Sequence, residues 1–350
     1  MPHHGVWKES SETTKLRTVF NASSKLPSSG LSLNDLLCAG PNLLPNVVDI
    51  VCSWRRYKFA FIADVEKMYR QVNVHPEDSK YQCILWRFDP EKPINIYQIL
   101  TLTYGVKPSG YLATRVLDQL ALEYELEFPL GAEVLKKEKY MDDVPSGGHT
   151  REQAKGKINQ TVELCKVGGF NLRKFLANDS SLLNDLPSDS LAKDCVKYFD
   201  SDSTSPVLGL NWQPQEDSFR FSISPYEMVS KVTKRVILSH TARLYDPMGW
   251  LAPAIVVAKI LMQSTWLLKV DWDTQLPEGL ANNWNKWRKE LEQLNQVRIP
   301  RWNNFSPEAC IELHGFADAS KAAYGSTLYL RVISGSAVTT SLELAKSKPY

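Results

Sequence analysis

Apolar and polar positions along the chain fall into short blocks, most of which predict a single strand. Residues 58–63 (KFAFIA) form a strand-like run that ends in Asp64. Residues 81–88 and 94–103 alternate apolar and polar positions and predict a pair of strands. Residues 65–74 lie between these blocks and predict a turn or a short helix.

Longer blocks have the period of helices. Residues 108–128 place four apolar side chains on one predicted face: Leu112, Val116, Leu120 and Tyr124. Residues 150–168 predict a second helix, and residues 226–296 predict a helical region broken by prolines.

Strand patterns also occur elsewhere in the chain. Residues Leu16 to Phe20 predict a strand in a small exposed lobe, residues 132–140 another strand, and residues 206–223 a hairpin. From residue 309 the pattern returns to strands, in CIELHGFA and then AYGSTLYLRV, and we expect this last unit to be too short to close a core by Tyr350. Together with the helices, these strands predict an α+β fold with an antiparallel sheet.

Composition adds little about partners. The chain has 350 residues, of which 43% are hydrophobic, which is enough for one large core or two ordinary ones. Its 41 basic and 39 acidic residues leave a net charge of +2, which neither supports nor excludes a nucleic-acid partner. Residues 187–205 are polar and rich in serine and predict a linker or an exposed loop.

Cysteines and apolar runs bear on the cellular compartment. The six cysteines lie far apart without a C-x-x-C pair, so we expect free thiols in a reducing compartment and no zinc site. The N-terminus has no signal-peptide pattern, and the longest apolar stretch, Trp250 to Met262, is too short to cross a bilayer. We therefore expect no membrane partner and a cytoplasmic location, with the nucleus as the alternative.

Three carboxylates form the chief candidate for chemistry. Asp64 ends an apolar strand, and Asp142 and Asp143 lie between two strand-like segments. A strand end and an adjacent turn can meet at one edge of an antiparallel sheet, where hard carboxylate oxygens suit magnesium. The alternative is that these residues are solvated turn residues, because aspartate is common at such positions.

A series of segments, in order along the chain, resembles the reverse transcriptases of Pao/BEL-type long-terminal-repeat retrotransposons. The resemblance covers essentially the whole chain. It rests on KLRTVFNASSK (15–25), FIADVEKMYRQV (61–72), LTYGVKPSGYLATRVL (102–117), YMDD (140–143), GGFNLRKF (168–175), VLGLNW (207–212), TKRVILSHTARLYDPMGWLAPAIVVAKILMQ (233–263) and IELHGFADASKAAYGSTLYLR (311–331).

The resemblance implies the domain organisation of a right-hand polymerase. Residues 1–57 would be partial fingers and residues 58–205 a palm with an interleaved fingers segment. Residues 206–308 would hold the primer grip, a helical thumb and the connection, and residues 309–350 the start of a truncated ribonuclease H-like unit.

The resemblance also implies a catalytic site. Asp64, Asp142 and Asp143 would be the catalytic carboxylates and, with the backbone carbonyl of Val65, would bind two Mg²⁺ ions. The partners would be an RNA or DNA template with its primer and deoxynucleoside triphosphates.

Five further residues would contact the incoming nucleotide. Arg17 and Lys15 would hold the triphosphate, and Tyr69 would lie under the sugar and favour deoxynucleotides. Tyr104 and Gly105 would pack against the nucleotide and template. The alternatives are a solvated basic strand for Lys15 and Arg17 and a half-buried aromatic ring for Tyr69.

Within VLGLNW, Gly209 and Leu210 match the primer grip. Asp318 matches the first metal-binding aspartate of ribonuclease H, whereas the surroundings of Glu343 match no partner for it, so we expect no nuclease activity from this chain. Lys174 is a weak candidate for the general acid that protonates pyrophosphate, and a surface lysine at a helix end is the other interpretation.

Three function hypotheses follow. The leading one is RNA- and DNA-directed DNA polymerase activity. A catalytically inactive nucleic-acid-binding relic is the alternative, because Asn21 and Pro145 depart from the family pattern. An RNA-directed RNA polymerase is a third hypothesis, and Tyr69 together with the ribonuclease H-like start argues against it. The sequence does not determine the oligomeric state.

Overall fold

The structure is a computed structural model, and it describes residues 1–9, 15–192, 204–225, 227, 229 and 231–350. The protein has a mixed α/β fold. Its strands are β1 (His3–Trp7), β2 (Leu16–Phe20), β3 (Phe59–Val65), β4 (Cys83–Trp86), β5 (Asn95–Gln98), β6 (Ser146–Gly148), β7 (Leu172–Ala177), β8 (Ser205–Val207), β9 (Leu210–Gln213), β10 (Ser218–Arg220), β11 (Arg298–Pro300), β12 (Cys310–Ala319), β13 (Ala323–Ser334) and β14 (Ala337–Pro349).

Its α-helices are α1 (Leu33–Leu36), α2 (Val47–Arg55), α3 (Pro76–Ser79), α4 (Ser109–Glu123), α5 (Pro129–Lys137), α6 (Arg151–Val167), α7 (Lys234–Ala242), α8 (Ala252–Leu267) and α9 (Glu278–Glu290). Short 3₁₀ turns occur at Met68–Gln71, Ser180–Leu183, Ser188–Ser190 and Leu291–Gln296.

The strands form small antiparallel sheets. The sheets have the orders β1-β2, β4-β5, β6-β3-β7, β11-β10-β9-β8 and β12-β13-β14. These pairings confirm the predicted strand at Leu16–Phe20 and, in shortened form, the pair predicted within 81–88 and 94–103.

Strand β3 lies at the centre of its sheet and is buried on both faces. Phe61 and Val65 point into a core shared with Leu117 and Phe175. Ala60, on the other face, packs in a second core around tryptophans of neighbouring segments. Burial on both faces explains why the run before Asp64 is almost continuously apolar.

The helix predicted within 108–128 is confirmed as α4, and of the four apolar side chains on its predicted face Leu120 and Tyr124 pack in the core. Leu112 and Val116 are exposed, at 38% and 37%, whereas Ala113 and Leu117 are fully buried. Small side chains on this face let the helix approach its neighbours closely, and this packing places Leu112 and Val116 towards solvent.

The strand predicted at 132–140 is wrong, because this region is mostly helix α5. Pro129 begins the helix, where a missing N–H costs nothing, and Lys136 and Lys137 lie in its last turn. The buried residues Gly131, Ala132, Val134 and Leu135 recur with helical spacing, and so short a run is ambiguous between strand and helix.

Residues 205–220 form three strands rather than the predicted hairpin. Strands β8, β9 and β10 make an antiparallel meander, and β11 adds a fourth strand from far along the chain. Trp212 and Phe219 of this sheet pack edge-on against Trp54 of α2. The meander is thereby fixed against the helix that precedes β3.

The C-terminal part combines helices with a long three-stranded sheet. Helices α7, α8 and α9 enclose a core that includes Ile237, Trp284 and Trp287, as the pattern of 226–296 predicts. The two strands predicted after residue 309 are confirmed as β12 and β13, and β14 joins them as a third. Helix α8 packs on β14.

A buried ion pair ties this sheet to the rest of the molecule. The guanidinium of Arg55, at the end of α2, lies 3.1 Å from the Glu343 carboxylate of β14, with side-chain exposures of 1% and 9%. Arg55 also donates to the carbonyl of Leu342 at 2.7 Å, and Asn303 donates to Glu343 at 2.9 Å. Glu343 is therefore engaged in packing between parts of the chain.

Two expectations from composition can be compared with the described residues. Their five cysteines (Cys38, Cys52, Cys83, Cys165 and Cys310) are free thiols, and Cys195 lies outside them, as does much of the linker predicted at 187–205. None of the helices described is both long and apolar enough to span a bilayer.

Candidate active site

Asp64 lies near the end of β3, where the strand is flanked by β6 and β7. Its neighbours Ala63 and Val65 are buried, at 4% and 1%, so alternation along the strand turns the Asp64 carboxylate towards the partly open side. The register between β3 and β7 shifts between Ile62 and Asp64, which locally opens the ladder beside this carboxylate.

The second acidic segment is a tight turn, Tyr140–Asp143, that lies against the end of β3. The amide of Tyr140 donates to the carbonyl of Asp143 at 2.8 Å, and the reverse bond is 3.0 Å long. Met141 has a φ of 55°, a left-handed conformation that is costly for a non-glycine residue. Contacts around the turn must therefore offset the energetic cost of the Met141 backbone conformation.

Backbone hydrogen bonds join the two acidic segments directly. Val65 N–H donates to the carbonyl of Asp142 at 2.8 Å, and Val144 N–H donates to that of Ala63 at 2.9 Å. Asp64 and Asp143 are partners in an antiparallel bridge, and the Cβ atoms of such partners are about 4.5–5.5 Å apart. The structure thus brings Asp64 and the Asp142–Asp143 pair together across 78 positions of sequence (142 minus 64).

Burial and the charges of neighbouring carboxylates raise the pKa of Asp142 and of Asp143. Burial, followed by the charges of Asp142 and Asp64, raises the pKa of Asp143 to about 7. Burial and then the charge of Asp64 raise the pKa of Asp142. Without a cation, the site therefore holds a proton near neutral pH that a divalent ion would displace.

Lys174 supplies positive charge at the site. Its ammonium donates to the Asp64 carboxylate at 2.9 Å. Its positive charge partly offsets the rise in the pKa of Asp142 and of Asp143. It lies within β7 with a φ of 57°, so its placement at a helix end is wrong. The pattern of GGFNLRKF gave no sign of this pairing with Asp64.

The carboxylate oxygens of the site are suitable ligands for magnesium, but the side chains lie farther apart than the ligands of one bound ion. Across residues 1–9, 15–192, 204–225, 227, 229 and 231–350, no group of three or more His, Cys, Asp or Glu side chains is close enough to hold a metal ion. Asp64, Asp142 and Asp143 nonetheless offer hard oxygen ligands from adjacent backbone segments. An ion bound by Asp64 would displace the ammonium of Lys174 from its carboxylate.

Aromatic side chains border the carboxylates. The Tyr69 ring, on the 3₁₀ turn after β3, is half-buried and lies 5.5 Å from the ring of Tyr104. Burial, and then the charge of Asp142, raise the pKa of Tyr69, so this ring is on the same side as the acidic turn. The guanidinium of Arg70 covers the exposed Tyr104 ring at 5.1 Å.

Gly105 joins this border to the N-terminal lobe. Its φ is +82°, and a Cβ atom would lie 2.7 Å from the carbonyl oxygen of Phe20, so only glycine fits here. Arg17 and Lys15 lie on or beside β2, in that lobe, and are exposed. The structure places them on a separate two-stranded sheet that reaches the site through Phe20.

The β8–β9 turn approaches the acidic turn at Leu208. Leu208 and Gly209 both have positive φ, and Leu210 begins β9. The backbone N–H of Leu208 forms a hydrogen bond with the Asp143 carboxylate, which lowers its pKa against the larger effects of burial and repulsion. The sequence pattern singled out Gly209 and Leu210 but missed this contact of Leu208.

Asp318 lies far along the chain, on the long C-terminal sheet. It is exposed on β12, opposite Gly325 of β13, and its carboxylate accepts from the backbone N–H of Ala319 at 2.8 Å. A cavity of about 470 Å³ between this part of the sheet and α8 includes Asp318 and Tyr324 in its lining. Glu343 is paired with Arg55 instead of facing Asp318.

Residues 233–349 match the family model described as "Pao retrotransposon-like RNaseH-like domain". This match supports a Pao/BEL retrotransposon origin. It spans roughly a third of the chain (117 of 350 residues) and contains α7, α8, α9 and the β12–β14 sheet, so an RNase H-like domain is indicated there. The matched range does not include the three carboxylates. A search of curated proteins found no match to the chain.

Proposed function

We propose that the chain is the polymerase core of a retrotransposon reverse transcriptase, which makes DNA on an RNA or DNA template. The β6-β3-β7 sheet would be the palm. The observation that carries this proposal is the backbone bridge between Asp64 and Asp143, which joins the two segments that carry the three carboxylates at the edge of the sheet where β3 ends. The retroelement origin of residues 233–349 supports it independently.

The residues at this edge suit nucleotidyl transfer. Two bound Mg²⁺ ions would lower the pKa of the primer 3′-hydroxyl and neutralise charge on the leaving pyrophosphate. Asp64 and Asp142 would hold both ions, with Asp143 and the Val65 carbonyl assisting. The 3′-hydroxyl would give its proton to solvent as its oxygen attacks the α-phosphorus in line, and the bond from this phosphorus to the bridging oxygen of pyrophosphate would break.

The surrounding residues would orient the substrates. The rings of Tyr69 and Tyr104 contact each other, and Tyr69 is close enough to Asp142 for the charge of that carboxylate to raise its pKa. The β8–β9 turn, with Gly209 and Leu210, lies against the acidic turn and would support the primer end. Arg17 and Lys15 would reach the triphosphate from the N-terminal lobe.

Primer extension tests the proposal. Purified chain with Mg²⁺, deoxynucleotides and a primed RNA template should extend the primer, and Asp142→Asn should not. A primed DNA template should also be copied. If wild type and Asp142→Asn bind the primed template equally and neither extends it, the polymerase proposal is wrong.

A nucleic-acid-binding relic is the second candidate, and the Lys174–Asp64 pair favours it. At 2.9 Å the ammonium already neutralises the Asp64 carboxylate, as a structural salt bridge would. The extension assay separates the two candidates, because a relic binds the primed template without turnover.

Replacing Tyr69 with alanine should raise incorporation of ribonucleotides relative to deoxynucleotides. A bulky ring beneath the sugar collides with a 2′-hydroxyl, and its removal would relieve this collision. Competition between the two nucleotide types in single-nucleotide extension measures the ratio. Tyr81→Ala, at a ring that is 53% exposed, is the matched control. An unchanged ratio would exclude Tyr69 as the residue that selects the sugar, and a wild-type preference for ribonucleotides would revive the RNA polymerase hypothesis.

A further inference from the structure

A buried ionic network lies at the base of the acidic turn. Its members are Tyr57, Glu138, Ser146 and Lys157, and we call it the base network. The ion pair between Glu138 and Lys157 is 2.7 Å long, with side-chain exposures of 5% and 1%. It is among the most deeply buried charge pairs of the described residues.

Glu138 connects the two ends of the turn segment. It precedes Tyr140, and one of its carboxylate oxygens accepts a hydrogen bond from the hydroxyl of Ser146, the first residue of β6. Its other oxygen accepts from the hydroxyl of Tyr57 at 2.5 Å and from the ammonium of Lys157 at 2.7 Å. The segment that carries Asp142 and Asp143 therefore begins at Glu138, and its other end, at Ser146, is hydrogen-bonded to the Glu138 carboxylate.

The strand after the turn is also pressed onto β3. The indole N–H of Trp54 donates to the carbonyl of Ser146 at 3.1 Å. A Cβ atom on Gly147 would lie 2.3 Å from the carbonyl oxygen of Phe59 and 2.8 Å from the Tyr57 side chain. This close approach allows only glycine, and it sets the depth at which β6 sits beside β3.

We propose that Glu138 is a positioning residue, which clamps the base of the Tyr140–Asp143 turn through Ser146 and thereby holds Asp142 and Asp143 opposite Asp64. The clamp rests on the proposed function for its purpose, since it positions the carboxylates for divalent cations. The left-handed backbone conformation of Met141 is energetically unfavourable. Such strained residues persist only where surrounding contacts stabilise them, so the turn requires contacts of this kind.

The network does not act through the charge of Glu138 on the Asp143 carboxylate. The charges that shift the pKa of Asp143 belong to Asp142, Asp64 and Lys174. A buried ion pair is also weak support for stability, since its desolvation penalty can exceed its attraction. Glu138 differs from an ordinary member of a buried ion pair because it also links the two ends of the segment that contains the turn.

Hydrogen exchange and Mn²⁺ binding test the clamp on the full chain. The variants are Ser146→Ala, which removes the hydrogen bond to Glu138, and Glu138→Gln, which keeps the shape but replaces the charged acceptor of Ser146 and Lys157 with a weaker, neutral amide. Glu343→Gln is the matched control, because Glu343 belongs to an equally buried ion pair elsewhere. Exchange is followed at the amides of Asp143 and Val144, which bond to Tyr140 and Ala63 in the wild type.

The clamp predicts that Ser146→Ala and Glu138→Gln speed exchange at these amides about tenfold, the equivalent of one net hydrogen bond. It also predicts about tenfold weaker Mn²⁺ binding, as is usual when a residue that orients a ligand is lost. Glu343→Gln should change neither, even where it lowers the melting temperature.

Unchanged exchange in both clamp variants, or an equal change in Glu343→Gln, would overturn the clamp. Failure of the proposed function looks different: the wild type would bind Mn²⁺ no better than Asp142→Asn does, while exchange in the clamp variants still rises. The two claims can therefore fail separately.

Discussion

Replacing Asp143 with asparagine is expected to slow primer extension about 10³-fold and, at pH 8, to stabilise the cation-free protein. The loss follows from the several kcal/mol of charge stabilisation that bound cations contribute to the transition state. The gain follows from removing a buried and repelled charge, because burial and then the charges of Asp142 and Asp64 raise the pKa of Asp143 to about 7. An amide keeps the shape and accepts the Leu208 hydrogen bond without the charge.

The sign of the pH dependence is fixed by the direction of this shift. An aspartate in the unfolded chain has a pKa of about 3.9, so both states of Asp143 are protonated below about pH 4. Between about pH 4 and 7 the unfolded state loses its proton first, and the wild type loses stability as the pH rises. Asparagine has no such titration, so its stabilising effect should grow from pH 4 to pH 8.

Thermal unfolding in a chelating buffer across this pH range measures the effect. Asp185→Asn is the control, since the Asp185 carboxylate is 67% exposed in a surface pair with Lys155. It should alter neither extension nor the pH profile. A difference in melting temperature between Asp143→Asn and wild type that is independent of pH would contradict the repulsion, and normal extension would exclude Asp143 from catalysis.

Replacing Arg55 with methionine is expected to destabilise the chain by about 3–5 kcal/mol, because it leaves the Glu343 carboxylate buried without its partner. Arg55 also donates to the carbonyls of Leu342 and Arg301, at 2.7 Å and 3.2 Å, and these acceptors would lose their donor. Since the pair joins α2 to the matched RNase H-like region, its loss should also separate the unfolding of the two parts.

Urea unfolding followed by two probes measures both effects. Arg235→Met is the matched control, because the Arg235–Asp273 pair is 64% and 70% exposed and should contribute less than about 1 kcal/mol. A double variant, Arg55→Met with Glu343→Leu, should recover part of the loss because it removes both charges. Equal losses from Arg55→Met and Arg235→Met would show that burial of the first pair has no special consequence.

Much of the local structure near the carboxylates could be predicted from sequence. The run before Asp64 is a strand because it is buried on both faces, and the paired strands β4 and β5 follow from alternation. The meeting of Asp64 with the acidic turn follows from antiparallel pairing of a strand with a nearby turn. The strands depend on local patterns of side chains, which a sequence displays directly, whereas the meeting of Asp64 with the acidic turn joins segments that are distant in the chain.

The remaining features depend on contacts between distant residues, which leave no periodic signal. Helix α5 was predicted as a strand because its short apolar run fits both periods until the packing of α6 on it is known. The pairing of Lys174 with Asp64, and of Arg55 with Glu343, joins residues 110 and 288 positions apart (174 minus 64, 343 minus 55). Charged residues usually lie in solvent, so neither pairing could be found without the structure.

The most direct measurement is a Mn²⁺ titration of the chain bound to a primed template, with a primer that lacks its 3′-hydroxyl and a matching deoxynucleotide. Three carboxylates that share one sheet edge predict two tightly bound ions in the wild type and a large loss of affinity in Asp64→Asn and Asp142→Asn. Equal Mn²⁺ binding by the wild type and both variants would contradict a shared cation site.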